Sequence, residues 1–231
     1  MAGAAVPGFL PSTHGFRFAN DFPHVPLRSI GIPGVVSIPI GDASNGLCGG
    51  MAFAVRDYFE AGRTPPGDTT PPASGPLYDY LVGRLFDSFG LPLGPVRYLE
   101  LMAPALSDGE SVWSRIGWVP HGRAWRMVNE EWPKVRTDID NGLLSPLGLV
   151  KVKSLDPMDL GQNHQVLAYA YELSGGRLTI RISDPNWAGR DDVTMQLSIA
   201  DPTKPIAVTC SPSTTVWSFF RVPYTKSIPP A

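Results

Sequence analysis

Two hydrophobic patterns divide this chain, a helical one first and a strand-like one after it. In the first part, apolar residues recur three and four positions apart, as they do on one side of a helix. The earliest clear segment has Cys48, Met51, Val55 and Phe59 at this spacing, and Gly62 follows as a residue typical of helix ends. The pattern therefore predicts a helix that begins at Cys48.

The same spacing predicts more helices at 76–90, at 94–106 and from Arg123 to Asp140, the last kinked by Pro133. The intervening stretch 64–76, TPPGDTTPPASGP, is predicted to be a long surface loop. Proline lacks a backbone N–H donor and clashes with the preceding helical turn, so a helix cannot continue through it. On the Cys48 helix, the charged Arg56, Asp57 and Glu60 fall away from the apolar positions.

After Gly142 the pattern changes to alternating, strand-like segments. These segments are LGLVKVKSL, NHQVLAYAYEL, RLTIRISDPN, DVTMQLSI and TTVWSFFRVPY. Gly175 and Gly176 form a short connection between the second and the third, which predicts an antiparallel hairpin.

Helices followed by strands predict an α+β fold in one domain covering 1–231. The helical part is 48–141 and the antiparallel β-sheet part is 142–231. The segment 1–47 is expected to form wrapping loops, with a short strand at VVSIPI.

Composition narrows the classes of partner. The chain has 231 residues, of which 43% are hydrophobic and 17% charged, as in globular proteins. A net charge of −2 without basic runs gives no reason to expect nucleic acid or a membrane as partner. Only Cys48 and Cys210 could form a disulfide, and no signal-like or membrane-spanning segment is apparent, so we expect a cytoplasmic protein.

Metal and cofactor chemistry is not indicated by any motif. No His or Cys pair stands at ligand spacing such as C-x-x-C or H-E-x-x-H. The GLCGGM stretch around Cys48 has neither the spacing nor the lysine of a phosphate-binding loop. We therefore expect no metal and no cofactor.

Cys48 itself is a candidate nucleophile. A free thiol is mostly protonated at neutral pH, whereas the start of a helix favours an anion through its free N–H groups and its dipole. Gly49 and Gly50 are expected to leave room for a substrate. Free cysteines are also common as small, inert, buried side chains, so the position of Cys48 alone does not decide between these alternatives.

His164 and Asp184 supply the groups that a cysteine nucleophile needs. His164 opens a predicted strand, where a neutral imidazole could take the thiol proton. Asp184 ends the next strand, where its carboxylate could fix the tautomer of the ring. Asp-Pro is also an ordinary turn dipeptide, and Asn186 is an alternative orienting residue. The other histidines, which lack partners at catalytic spacing, are expected to be structural: His14, His24 and His121.

The order of these motifs resembles the papain-like cysteine peptidases, nearest to their C39-like branch. The chain has a cysteine at the head of a helix, then histidine in H-x-V-L, then D-P-N, and the resemblance spans about residues 42–190. It implies a papain-like fold, in which the Cys48 helix packs on the antiparallel sheet, and a Cys48–His164 ion pair oriented by Asp184. These peptidases also carry a glutamine ahead of the cysteine that helps bind the oxyanion. GDASNGLC has none, so Asn45 and the backbone N–H of Cys48 are the donors expected here.

Three functions follow from these observations. The leading hypothesis is a cysteine hydrolase that acts on a peptide or another amide through a thioester acyl-enzyme. The second is an acyltransferase that uses the same nucleophile, with an acyl-thioester as a further substrate class. The third is an inactive papain-like binding domain that presents the 64–76 loop and four tryptophans to a partner: Trp113, Trp118, Trp187 and Trp217.

Overall fold

The computed structural model describes residues 2–22, 47–90, 93–212 and 214–230. The α-helices are α1 Pro11–His14, α2 Cys48–Glu60, α3 Pro76–Ser88, α4 Leu93–Met102, α5 Val112–Arg115, α6 Arg123–Arg126 and α7 Trp132–Asp140. A π-helical segment, Met127–Glu131, joins α6 to α7, and a 3₁₀ helix spans Pro157–Gln162. The predicted strand VVSIPI and His24 lie outside the described residues.

The strands are β1 Ala2–Ala5, β2 Ser145–Val150, β3 His164–Ser174, β4 Arg177–Ser183, β5 Thr194–Ser198, β6 Val208–Ser211, β7 Thr214–Val216 and β8 Ser218–Arg221. They form an antiparallel sheet in the order β7-β6-β5-β4-β3-β2-β8, and β1 pairs with β3 off this path. The predicted α+β class, with helices and an antiparallel sheet, is therefore confirmed.

The two ends of the sheet are consecutive in the chain, and this curls the sheet into a half-barrel. β7 pairs with β6 at one end and β8 pairs with β2 at the other, yet only Trp217 separates them. The Trp217 N–H donates to Val150 O at 2.8 Å, so the chain changes partner strands at this residue. The prediction of one strand in TTVWSFFRVPY was wrong, because periodicity does not register a change of partner.

The β3–β4 hairpin was predicted correctly. Gly175 and Gly176 have φ of 56° and 82°, which is the left-handed conformation that a tight two-residue hairpin turn requires. The register pairs Leu167 with Ser183, so the residue after β4 lies close to the first residues of β3.

Helix α2 packs against α3 on one side and β3 on the other, and is buried along most of its length. A Cβ on Gly49 would collide with Ser88 Oγ, and one on Gly50 with the carbonyl oxygen of Leu81. The expectation that these glycines leave room for a substrate was therefore wrong, because the close approach of α3 already fills that space.

The charged residues of α2 are also buried. Arg56 and Asp57 are 6% and 0% exposed. Arg56 donates to Leu144 O at 2.5 Å, and Asp57 pairs with Arg84 of α3 at 2.7 Å. A central helix can bury such residues on its second side when each charge has a partner.

Proline explains how two of the predicted helices differ from the structure: one ends early, and the other contains a π turn before Pro133. The helix predicted to run to residue 106 ends at Met102, because Pro104 disfavours helical geometry in the residue before it. In the segment Arg123–Asp140, the π turn ends just before Trp132 and Pro133. The proline is thus accommodated at the start of α7, where its missing N–H breaks no helical bond.

Residues 2–22 contain more regular structure than the wrapping loops expected for this segment. Among residues 2–22, β1 pairs with the far half of β3, beyond the end of β2. Four phenylalanines of this segment are buried in the core: Phe9, Phe16, Phe18 and Phe22. β1 was missed because Ala-Gly-Ala-Ala has no alternating pattern and joins the sheet through backbone pairing.

Candidate active site

Cys48 is the first residue of α2 and is partly exposed. Leu47 is the N-cap residue, and its carbonyl accepts the first helical bond from Met51 N at 2.9 Å. The Cys48 side chain therefore stands at the positive end of a thirteen-residue helix. A negative charge is stabilised at such a position.

His164 is the first residue of β3, and its ring lies between a carboxylate and the thiol. Nε2 is 2.7 Å from Asp184 Oδ1, and the ring donates this hydrogen bond because a carboxylate only accepts. The Cys48 thiol and this ring interact through charge, which lowers the pKa of the thiol and raises the pKa of the ring. This leaves Nδ1 as the ring nitrogen for the thiol.

Asp184 follows the last residue of β4, and the β3–β4 register places it beside His164. Its Oδ1 also accepts the backbone N–H of Asn186 at 2.9 Å, which fixes the carboxylate within the Asp-Pro-Asn turn. The Asn186 side chain instead accepts a hydrogen bond from Asn20 at 3.2 Å. Of the two candidate orienting residues, Asp184 is thus the one in contact with the ring.

The electrostatics of the three groups favour a thiolate–imidazolium pair. Burial alone would raise the pKa of Cys48, but the charge and hydrogen bond of His164 and the backbone N–H of Gln165 outweigh it, so the pKa is lowered. Burial alone would lower the pKa of His164, but the Cys48 and Asp184 charges outweigh burial and raise it to about 10. Each group therefore stabilises the ionised form of the other.

Two neighbours of this site were not anticipated from the sequence. Tyr98 of α4 is buried, and its hydroxyl donates to His164 O at 3.2 Å. Burial, and after it the negative charge of Cys48, raise the pKa of Tyr98 well above its usual range. The Gln165 side chain packs on Gly49, and its Oε1 is buried with no hydrogen-bond partner in the described part of the chain. The only sequence signal was that Gln165 follows His164.

A third unanticipated residue is Asn20, which contacts both sides of the site. Its Oδ1 accepts the backbone N–H of Leu47 at 2.6 Å, directly before Cys48. No sequence pattern pointed to Asn20, because it lies 27 residues before Leu47 in a segment predicted to be loop.

A shallow recess borders Asp184 on the side of the N-terminal segment. Its walls are mostly apolar and come from α2, the Asp-Pro turn and residues 15–18, and they include Phe16, Phe18, Met51 and Val55. The recess thus offers a small apolar surface next to Asp184.

The remaining candidate residues lie either away from these three groups or outside the described residues. Asn45, the predicted oxyanion donor, is outside the described residues. His14 stacks on Phe9 with ring centroids 5.6 Å apart, and His121 pairs with Glu110 at 2.9 Å. Cys210 is buried in β6, and burial together with the Asp184 charge raises its pKa to about 12.

The four tryptophans named as a binding surface are exposed, from 39% at Trp187 to 74% at Trp118. The ring centroids of Trp113 and Trp118 lie 5.2 Å apart in a stacked arrangement, and Lys153 lies 3.6 Å from the centre of the Trp217 ring.

In the described ranges, no three His, Cys, Asp or Glu residues are grouped to hold a metal ion. No helix described for the chain is long and apolar enough to span a membrane.

Comparison of the chain with protein-family models, with curated proteins and with solved structures gave no match in any of the three.

Proposed function

We propose that the protein is a cysteine hydrolase with a papain-like fold, which cleaves a peptide or another amide through a thioester on Cys48. The observation that carries this proposal is the Asp184–His164 hydrogen bond, together with the charge coupling of His164 to Cys48 at the head of a buried helix. A helix start, an imidazolium and a backbone N–H all stabilise the same thiolate, which is how a cysteine becomes a nucleophile at neutral pH.

In the proposed reaction, the Cys48 thiolate attacks the amide carbonyl carbon, and the π electrons of the carbonyl move onto its oxygen. As the carbonyl re-forms, the C–N bond breaks, and His164 gives its proton to the leaving amine. A thioester on Sγ remains. Neutral His164 then takes a proton from water, whose oxygen attacks the thioester, and the carboxylic acid and the thiolate are released.

The oxyanion requires donors that are already in place before the reaction. The backbone N–H of Cys48, at the start of α2, is the proposed first donor. Asn45 stays the predicted second donor, since it precedes Cys48 by three positions.

The nucleophile can be tested without knowing the substrate. We expect iodoacetamide to label Cys48 faster than Cys210 at pH 6, as measured by peptide mass spectrometry, because only Cys48 has a lowered pKa. His164→Ala should shift the Cys48 profile toward alkaline pH. His121→Ala is the matched control, since this histidine also pairs with a carboxylate but is not beside the thiol. Equal labelling of both cysteines, with a profile unmoved by His164→Ala, would disprove the proposal and favour the binding domain.

Turnover needs a second measurement. With p-nitrophenyl acetate as acyl donor, intact-mass spectrometry should detect an acetyl adduct that is absent in Cys48→Ala and decays in water. Decay that requires an added amine acceptor would instead identify the acyltransferase.

A further inference from the structure

We propose that Asn20 is a positioning residue that aligns the nucleophile with its base by joining Leu47, the residue before Cys48, to the turn that carries Asp184. This inference rests on the proposed function, because it concerns the alignment of the same ion pair.

Asn20 makes hydrogen bonds to Leu47 and to the Asp-Pro-Asn turn. On the nucleophile side, its Oδ1 accepts Leu47 N–H at 2.6 Å. On the carboxylate side, its Nδ2 donates to Asn186 Oδ1 at 3.2 Å and its backbone N–H donates to Pro185 O at 2.9 Å. The side-chain amide thus uses its acceptor for Leu47 and a donor for Asn186, a combination that neither Asp nor Ser offers in the same shape.

These contacts close a ring around the candidate site. Asn186 N–H donates to Asp184, and Asp184 accepts from His164. His164 is coupled by charge to Cys48, which follows Leu47 in the chain. Asn20 connects Leu47 back to the Asp-Pro-Asn turn and so completes the ring. The hydrogen bonds of Asn20 therefore help to fix the start of α2 relative to the end of β4. They act in addition to the packing of α2 on β3.

The position of Asn20 is fixed from both sides. Phe18 and Phe22 flank it and are buried in the core, with their ring centroids 6.0 Å apart. Asn20 itself is only partly buried, so its replacement removes hydrogen bonds without opening a hole in the core. This makes the residue suitable for substitution.

The test compares Asn20→Ala, Asn20→Asp and wild type in acylation by p-nitrophenyl acetate and in the pH profile of iodoacetamide labelling at Cys48. Small displacements of a catalytic group can cost up to ~100-fold in rate, so we expect Asn20→Ala to slow acylation by about 10- to 100-fold. We also expect its labelling profile to move to higher pH, because the thiolate would lie less well against His164. Asn20→Asp should lose less, since it keeps the acceptor for Leu47, although it replaces the donor to Asn186 with a charged carboxylate oxygen.

A double-mutant cycle adds specificity. Asn186→Ala removes the partner of the Asn20 donor, so the combined variant should lose less than the product of the two single losses. The control is Asn129→Ala. It removes an exposed amide that donates to Trp125 O at 3.0 Å and takes no part in the contacts of Asn20.

The outcomes separate the two proposals. If wild-type Cys48 labels fast at pH 6 but Asn20→Ala lowers only the melting temperature, with acylation rate and pH profile unchanged, Asn20 is merely structural and this inference is wrong. If Asn20→Ala fails to fold, Asn20→Asp and Asn186→Ala decide by the same two measurements. If the wild type itself shows no reactive thiolate, the proposed function fails first, and the positioning role falls with it.

Discussion

His164 illustrates how neighbours can reverse the effect of burial on a single residue. Removal from water disfavours the charged imidazolium, yet a thiolate on one side and a carboxylate on the other raise the pKa of the ring to about 10. The folded pKa thus lies above the value of ~6.5 for an unperturbed histidine. The protonated ring therefore stabilises the folded state fully below pH ~6.5, and this stabilisation is lost as the pH rises through the folded pKa.

The charge coupling between Cys48 and His164 predicts how the titration midpoint of the imidazole changes when the thiol is removed. By NMR of the imidazole, the midpoint of His164 should lie near pH 10 in the wild type, and Cys48→Ala should lower it, because the thiolate is the largest favourable charge near the ring. Cys210→Ala is the matched control, since that thiol has a pKa of about 12 and is neutral over most of this range. An unchanged midpoint in Cys48→Ala would show that the two groups are not coupled.

The orienting role proposed for Asp184 predicts which of two substitutions slows the acylation of Cys48 more. Asp184→Ala should lower acylation of Cys48 by ~10³-fold or more, because loss of an orienting carboxylate leaves the imidazole in the wrong tautomer. Asn186→Ala should lose less, since its side chain contacts Asn20 and its backbone N–H still holds Asp184. Initial rates with p-nitrophenyl acetate measure both. The reverse ranking would assign the orienting role to Asn186.

At the scale of elements, hydrophobic periodicity was sufficient to predict a helix or strand that has the same environment along its whole length. The β3–β4 hairpin follows from alternation plus two glycines, and α2 follows from helical spacing. Periodicity was not sufficient where the environment changes along one element. Trp217 separates two strands with different partners, and Asp57 is buried because Arg84 from another helix pairs with it.

The α2–α3 contact predicts opposite effects of two glycine substitutions. Gly50→Ala should destabilise by about 1–3 kcal/mol or more, because its Cβ would meet the rigid backbone oxygen of Leu81. Gly83→Ala on α3 should stabilise by about 0.5–1 kcal/mol, because nothing lies within 4 Å of its Cβ position and alanine favours a helix. Urea unfolding followed by circular dichroism measures both. Equal effects would mean that the two helices do not pack this closely.

For the molecule as a whole, the three groups of the candidate site were predictable because each stands at the end of an element with a clear pattern. Cys48 begins a helix, His164 begins a strand, and Asp184 follows the partner strand. Tyr98 and Asn20 were not predictable, because they reach the site from distant segments through single hydrogen bonds. Such contacts depend on how the segments pack, which periodicity does not describe.

Asp57 connects the helical part to the end of the chain, and this predicts a large loss of stability when it is removed. Its carboxylate accepts hydrogen bonds from Arg84, Tyr80, Tyr224 and the backbone N–H of Ser227, and it is fully buried. Asp57→Ala would remove the acceptor of three other donors and leave the buried Arg84 guanidinium with Asp87 and Thr225 O as its partners. Loss of one partner from a buried ion pair costs ~3–5 kcal/mol when no other partner remains, so we expect a loss of up to about that size. We therefore expect the urea midpoint to fall sharply, whereas Asp192→Ala, which breaks an exposed pair with Arg190, should leave it nearly unchanged. Similar midpoints for the two variants would contradict the view that this buried carboxylate holds α2, α3 and the C-terminal segment together.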